Sequence, residues 1–151
     1  METNKKVQVN IRRAGQNDID TIIMLDRRLG GDRSTITYRD LAATSPGGPL
    51  DLSFIAEIDG KIVGFILARI TYVYIPFIEV CLINGIVVDP DYQHQNIGKK
   101  LVNELLNHCE REEINTIRAL VDERDEELKR FMEGLGFIRS KVFNYDRIRK
   151  K

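Results

Sequence analysis

The chain has 151 residues, and its 23 Lys and Arg balance its 23 Asp and Glu, which gives a formal net charge of zero. This length fits one domain with its own core, and 42% hydrophobic with 30% charged residues excludes a disordered chain. The balanced charge argues against a bulk nucleic-acid binder, and no apolar stretch reaches the roughly 18–20 residues of a membrane span.

The first part of the chain predicts a strand followed by two helices. Residues Val7–Ile11 alternate apolar and polar side chains, which is typical of a half-buried strand. Apolar residues then recur at helical spacing, at Ile19, Ile22, Ile23 and Leu29. Gly30-Gly31 should end this helix, and a second short helix is predicted over Thr35–Thr44.

A hairpin is predicted next, after the loop Ser45–Pro49. Asp59-Gly60 separates two strand-like stretches, Leu52–Ile58 and Lys61–Val73. This dipeptide favours a type I′ turn because both central positions of such a turn need positive φ.

Residues Phe77–Val88 are rich in β-branched side chains and apolar on both faces, which is typical of a central strand covered on both sides. The dipeptide Asn84-Gly85 interrupts this stretch. It is a strong hairpin signal, which would split the stretch into two strands. A glycine inside a strand also marks a β-bulge, so the residues alone leave both interpretations open.

The last third of the chain predicts a helix, a strand, a helix and a final strand. Apolar stripes at helical spacing define the helices, with Ile97, Leu101, Leu105 and Cys109 in the first and Leu128, Phe131, Met132 and Leu135 in the second. Gly136 should close the second helix, and the strands are Ile117–Val121 and Val142–Tyr145. The element order predicts an α/β fold, a single domain over residues 1–151 with a mixed sheet, a βαβ crossover and helices on both faces.

The start of the helix at Gly98 is the segment that predicts chemistry. A helix start offers unpaired amides and a positive dipole to an anion such as a diphosphate, and Lys99 and Lys100 add positive charge. A Walker P-loop is excluded because Gln93 stands where that motif needs glycine and Lys100 where it needs Ser or Thr. The alternative is a plain αβ loop in which Gly98 eases helix packing.

The cysteines and histidines predict no metal site. Two of each are present, without the spacing of metal ligands. Cys81 and Cys109 lie in apolar patterns and are predicted to be reduced core residues. The polar start of the chain shows no signal peptide, so we expect a cytoplasmic protein.

Three stretches resemble the GNAT superfamily of N-acetyltransferases. Val88–Leu101 is similar to the family's acetyl-CoA pattern Q/R-x-x-G-x-G/A, Asp59–Phe65 to its D-G-x-x-V-G-x stretch, and Phe131–Phe137 to its F-Y-E-K-L-G-F segment. They occur in the family's order, and the resemblance extends from residue 7 to about residue 145. Within the superfamily, the chain looks most like the branch that includes ribosomal-protein alanine acetyltransferases.

The resemblance implies which residues would hold acetyl-CoA. Backbone groups of Ile86, Val87 and Val88 would bind the pantetheine arm, and a bulge at Asn84-Gly85 would splay their strand from its parallel neighbour. Asp125 falls where many members have an Asn that touches the pantetheine. The backbone amides expected to bind the diphosphate are those of Gln93, His94, Gln95, Asn96, Ile97, Gly98 and Lys99.

The family's acid and base positions carry no titratable side chain here. Asn84 stands at the usual central-strand carboxylate, Leu120 at the glutamate of the alanine-acetylating branch, and Met132 at the tyrosine that protonates the departing thiolate. Asn96 replaces the first glycine of the acetyl-CoA pattern. Asparagine is the non-glycine residue that best tolerates positive φ, so the turn can survive this change.

Two carboxylates join Asn84 as candidate catalytic residues, both as general bases. Glu79 lies in the apolar strand, where desolvation would raise its pKa, although a solvent-facing Glu at a strand end is the simpler interpretation. Asp122 follows a predicted strand and could act through water, or could simply cap the next helix. Four arginines are predicted to be surface charges: Arg12, Arg13, Arg27 and Arg28.

Together these features predict an enzyme that transfers an acetyl group from acetyl-CoA to a primary amine, in a peptide N-terminus or a small molecule, within a ternary complex. The loop region Leu29–Pro49 and the Tyr72–Phe77 turn would shape the acceptor site. The missing acid and base positions favour an alternative, a module that binds acyl-CoA without turnover, and a structural interaction domain is a third possibility. Neither nucleic acid nor membrane is an expected partner, and edge pairing could produce a homodimer.

Overall fold

The computed structural model describes residues 8–30, 46–72 and 78–150. Contacts divide the chain into two units, one up to Leu120 and one from Val121 onward. The first unit holds the sheet and two helices, and the second holds one helix and an irregular C-terminal segment. The predicted helix Thr35–Thr44 lies outside the described residues, as do Val7 and most of the Tyr72–Phe77 turn.

Five strands form one mixed sheet in the described part of the chain, in the order β1-β2-β3-β4-β5. The strands are β1 Asn10–Arg13, β2 Phe54–Ile58, β3 Lys61–Tyr72, β4 Glu79–Val88 and β5 Ile117–Ala119. The helices are α1 Ile19–Gly30, α2 Ile97–Arg111 and α3 Glu126–Gly134. Neighbouring strands are antiparallel except β4 and β5, which run parallel and are connected by α2. The prediction of an α/β fold with a βαβ crossover is confirmed.

A β-bulge lies in the middle of β4. The pairing of β3 with β4 steps from Leu67–Gly85 to Ala68–Ile83, which leaves Asn84 as the extra residue. The parallel pairing with β5 ends at Ile83, and beyond it the described residues show β4 paired with β3 alone. The hairpin interpretation of Asn84-Gly85 is therefore wrong, and the bulge is confirmed.

The two helices of the first unit cover opposite faces of the sheet. Because side chains alternate along each strand, neighbouring residues of β3 face different helices. Phe65 of β3 is fully buried and packs with the apolar side of α1. Its neighbour Gly64 faces α2, where a Cβ added to the glycine would lie 3.5 Å from Ile97. On the same face the rings of Phe54 and His108 meet edge-on, with their centroids 5.9 Å apart. Both cysteines are buried free thiols, as predicted.

Two predicted turns are confirmed by their backbone angles. Asp59 and Gly60 have φ of 50° and 77°, as the hairpin between β2 and β3 requires. Gly136 has φ of 90° and follows α3 at the position expected of a closing glycine. The amide of Phe137 donates to the carbonyl of Met132 at 3.1 Å, which satisfies one of the last carbonyls of the helix.

The predicted strand Val142–Tyr145 is wrong, because these residues are irregular. Their side chains are exposed, with Tyr145 at 94% of its maximum. Hydrogen bonds in this segment are local, such as the one from the Val142 amide to the Ser140 hydroxyl. Alternation makes a stretch suitable for a sheet, but a strand also needs a partner, and local side-chain bonds compete with pairing. Smaller corrections concern β1, which begins at Asn10, and β5, which ends at Ala119.

A partly buried ion pair connects β1 to the turn before α1. Arg12 donates two hydrogen bonds of 2.9 Å to the buried carboxylate of Asp18, and its Nε lies 2.5 Å from Glu57 on β2. Asp18 also accepts the Gly15 amide at 2.8 Å. Arg12 is partly exposed, as predicted for a surface charge, but it is ion-paired, and its guanidinium holds the pKa of Asp18 below its usual range.

We expect the Asp18→Asn variant to lose about 2 kcal/mol of unfolding free energy at pH 7, since charge-assisted hydrogen bonds contribute about this much. The folded-state pKa of Asp18 is lowered, so its stabilisation is present above the unfolded pKa near 4 and is lost as the pH falls through the folded value. The difference between wild type and variant should therefore shrink below about pH 4 in urea unfolding. Asp20→Asn, on an exposed neighbour, is the matched control; an equal loss there would contradict the role of the pair.

Candidate functional site

A short turn connects β4 to the loop before α2. Asp89 is buried, and its carboxylate accepts the Asp91 amide at 3.0 Å while its carbonyl accepts the Tyr92 amide at 2.9 Å. These bonds shape a single helical turn over Pro90–Tyr92. The amide of Asp89 donates to the Val63 carbonyl at 2.8 Å, so the turn is fixed to β3. The Asp91 amide, followed by Arg28, keeps the pKa of Asp89 below its usual range.

Two non-glycine residues in the following loop adopt left-handed conformations. His94 has φ of 69°, and Asn96, directly before α2, has φ of 57° and ψ of 28°. Such residues redirect successive amides, and turns of this kind form anion-binding concavities. The prediction that asparagine can replace the first glycine of the acetyl-CoA pattern agrees with this backbone.

The backbone amides of residues 94–99 have no acceptor among the residues that the structure describes. The first amide of α2 that is bonded belongs to Lys100, which donates to Asn96 at 2.9 Å. Of the amides predicted to bind a diphosphate, that of Gln93 is engaged with the Pro90 carbonyl at 3.2 Å. Lys99 and Lys100 are exposed beside them. Six consecutive amides at the positive end of a 15-residue helix are thus available to an anion.

The predicted pantetheine residues Ile86, Val87 and Val88 follow the bulge on β4 and are partly exposed. They pair with β3 on one side, and in this part of the chain β5 does not pair with them on the other. The backbones of β3 and β4 lie close together at Gly64, because a Cβ added to this glycine would come 3.0 Å from the Val87 carbonyl oxygen. An extended ligand could therefore add to the open side of β4 as another strand would.

Glu79 is the exposed first residue of β4, which agrees with the simpler interpretation of a solvent-facing Glu at a strand end. It lines a shallow cavity of about 450 Å³ with Arg13, His108 and Glu112. His108 is partly buried, and burial, followed by the charge of Arg13, lowers its pKa. Asn84 lies exposed in the bulge, nearer to the predicted pantetheine residues on the same strand.

Two predicted site residues belong to the second unit. Asp122 is exposed, accepts the Arg124 amide at 2.8 Å and forms an ion pair of 2.9 Å with the Arg124 guanidinium. The helix cap proposed for Asp122 is instead Asp125, whose carboxylate accepts the Leu128 amide at 3.1 Å at the start of α3. The contact of Asp125 with pantetheine stays a prediction. In the same unit Met132 is buried, at 7% exposure.

Sequence reasoning missed Arg28. Its guanidinium forms an ion pair with the buried Asp89, although it is predicted to be a surface charge. The two residues are 61 positions apart, so no local pattern could reveal the pair.

Substitutions of Asn96 should separate backbone geometry from side-chain chemistry. Asn96→Gly keeps the left-handed conformation and should leave coenzyme A affinity within about twofold of wild type. Asn96→Val places a β-branched residue at φ 57°, which should cost about 1–2 kcal/mol of unfolding free energy and weaken binding. Calorimetry and thermal unfolding measure the two effects. If both variants bound equally well, the left-handed turn would not matter for the ligand.

No group of three or more His, Cys, Asp and Glu side chains among the described residues could hold a metal ion. No helix in the described ranges has the length and apolar character needed to cross a bilayer.

Comparison with known proteins agrees with this geometry. Residues 19–137 match the profile of the acetyltransferase (GNAT) family. An uncharacterised N-acetyltransferase of Methanocaldococcus jannaschii is 29% identical over 90 residues, and the match spans 59% of this chain but only 40% of that relative.

Solved structures share the fold at low sequence identity. The aminoglycoside acetyltransferase AAC(6')-Iy in complex with a bisubstrate analogue has a TM-score of 0.79 at 18% identity, with 95% of this chain and 99% of that one covered. The ribosomal-protein alanine N-acetyltransferase of Escherichia coli has a TM-score of 0.74 at 22% identity, with 89% and 80% covered. Since the family profile spans most of the sequence, the chain belongs to the GNAT family of acetyltransferases.

Proposed function

We propose that this protein transfers the acetyl group of acetyl-CoA directly to a primary amine, with both substrates bound at once. The observation that carries the proposal is the run of amides at residues 94–99 without an acceptor in the described structure, at the start of α2. A diphosphate suits this site because its oxygens accept several amides and its charge is favoured by the helix dipole.

The residues present fit coenzyme A in two further respects. Lys99 and Lys100 supply exposed positive charge beside the amides, and the open side of β4 at Ile86–Val88 offers backbone groups to an extended arm. When bound, acetyl-CoA supplies an activated thioester. The chain then has to orient the amine, and well-oriented reactants can gain roughly 7–11 kcal/mol from positioning alone.

Among the candidate catalytic residues, we propose that Asn84 contacts the reacting groups. Asn84 is the extra residue of the bulge, is exposed, and lies two positions before Ile86. Its amide can donate or accept a hydrogen bond but carries no titratable proton. Glu79 stands five positions earlier, about 17 Å along an extended strand, so it is too far away to take a proton directly from an amine that reacts beside Asn84.

The acceptor class is open to a direct assay. The neighbours named above act on aminoglycosides and on a ribosomal protein's alanine, so the amine panel should contain an aminoglycoside, a peptide with an N-terminal alanine and simple primary amines. We expect calorimetry to detect saturable binding of acetyl-CoA, and at least one amine to give acetyl-CoA-dependent release of free CoA. Absence of both binding and consumption would refute the proposal.

An acyl-CoA-binding module without turnover is the second candidate. Two observations favour it. The family's acid and base positions are occupied by Asn84, Leu120 and Met132, which cannot titrate, and Glu79 is exposed. Turnover that falls more than about tenfold in Glu79→Ala or Asp122→Ala would reject it, since general bases contribute at least this much. Binding with no turnover across the whole panel would support it.

A further inference from the structure

An ion pair connects the end of α1 to the residue that follows β4. The Nη2 atom of Arg28 lies 2.5 Å from Oδ2 of Asp89. The two ends differ in environment, because Asp89 is 1% exposed while the Arg28 side chain is 53% exposed. The guanidinium of Arg28 therefore extends from the last turn of α1 to a buried carboxylate at the start of the loop that leads to α2.

Each polar group of Asp89 has a defined partner. Its Oδ1 atom accepts the Asp91 amide, its carbonyl accepts the Tyr92 amide, and its own amide donates to Val63. The remaining carboxylate oxygen is the one that Arg28 contacts. Lys61 of β3 also adds a favourable charge near Asp89, with its ammonium 5.4 Å from the Tyr92 ring centre. One side-chain bond and two backbone bonds of Asp89 thus hold the turn over Pro90–Tyr92 in place.

We propose that Arg28 and Asp89 act as one positioning unit, which keeps the turn after β4 in the shape that presents the amides of residues 94–99 to the diphosphate. The inference rests on the proposed function, because diphosphate binding is the property that the pair would control. Arg28 is a positioning residue, since its guanidinium contacts Asp89 rather than any amide of the loop.

Removing the guanidinium should affect the loop through Asp89. A buried carboxylate that loses its cation keeps its desolvation penalty without compensation. It can relieve this by rotating away or by taking up a proton, and either response weakens its bond to the Asp91 amide. The following loop would then sample more conformations, and each binding event would have to restore the productive one.

The test compares coenzyme A binding to full-length wild type, Arg28→Ala and Arg27→Ala by calorimetry. Arg27 is exposed on the same helical turn. Arg27→Ala therefore removes the same charge and changes helix propensity by the same amount as Arg28→Ala. We expect Arg28→Ala to raise the Kd about tenfold, as for the loss of a charge-assisted hydrogen bond. Arg27→Ala should stay within about twofold because exposed charges contribute little. Thermal unfolding checks that both are folded, and Arg28→Gln replaces Arg28→Ala if that variant is not.

Two readouts separate positioning from a general loss of stability. Arg28→Lys restores the charge and should recover affinity to within about threefold of wild type. In an Asp89→Asn background, Arg28→Ala should have little further effect, because a unit responds non-additively. A tenfold effect of Arg28→Ala persisting in that background, or equal binding by Arg28→Ala and Arg27→Ala, would overturn the inference while leaving the proposed function intact. Absence of binding by wild type would instead overturn the proposed function.

Discussion

Replacing Gly98 with phenylalanine should weaken coenzyme A binding by about 100-fold, because the loss of two charge-assisted hydrogen bonds is worth this much. Gly98 lies in the first turn of α2, within the run of amides that have no acceptor in the described chain. A large side chain there would cover the amides that a diphosphate must approach. Calorimetric titration of the folded variant with coenzyme A measures the effect.

The matched control places the same aromatic side chain elsewhere on the helix. Asn103 is exposed on α2 beyond its first turn, so Asn103→Phe should bind coenzyme A within about twofold of wild type if affinity depends on access to the amides. Equal losses in both variants would show that the effect arises from the helix as a whole. Unchanged affinity in Gly98→Phe would place the ligand away from this turn.

The second large effect concerns the core beneath α1. Phe65→Ala should lower the free energy of unfolding by about 3–5 kcal/mol, because Phe65 has no exposed surface and packs between β3 and α1. Denaturation in urea measures the loss. Met24→Ala is the control, since Met24 is 59% exposed on α1 and should change the stability by less than about 1 kcal/mol. A loss below about 1 kcal/mol for Phe65→Ala would contradict its central place in the fold.

Local patterns were sufficient for elements whose structure depends on neighbours in sequence. The Asp59-Gly60 turn, the stripe of α2 and the closing glycine of α3 follow from dihedral preferences and helical spacing. Asn84-Gly85 was ambiguous because a bulge is defined by the register with the partner strand, which is not a property of the dipeptide. The false strand at Val142–Tyr145 has the same origin, since alternation does not supply a partner.

Some features of the candidate site also depend on neighbours in sequence, and others depend on contacts between distant segments. The free amides before α2 could be predicted because they are a property of any helix start. The ion pair of Arg28 with Asp89 could not, since it depends on which distant segments meet. Asp125 rather than Asp122 caps α3, because the exact start of the helix decides which carboxylate can reach its first free amides.

A crystal structure with coenzyme A is the measurement that tests the central claim most directly. We expect diphosphate oxygens about 2.7–3.2 Å from backbone nitrogens within residues 94–99, with the remainder of the ligand continuing beside Ile86–Val88. Well-defined density for the diphosphate at any other surface, with these nitrogens bonded to protein or solvent instead, would contradict it.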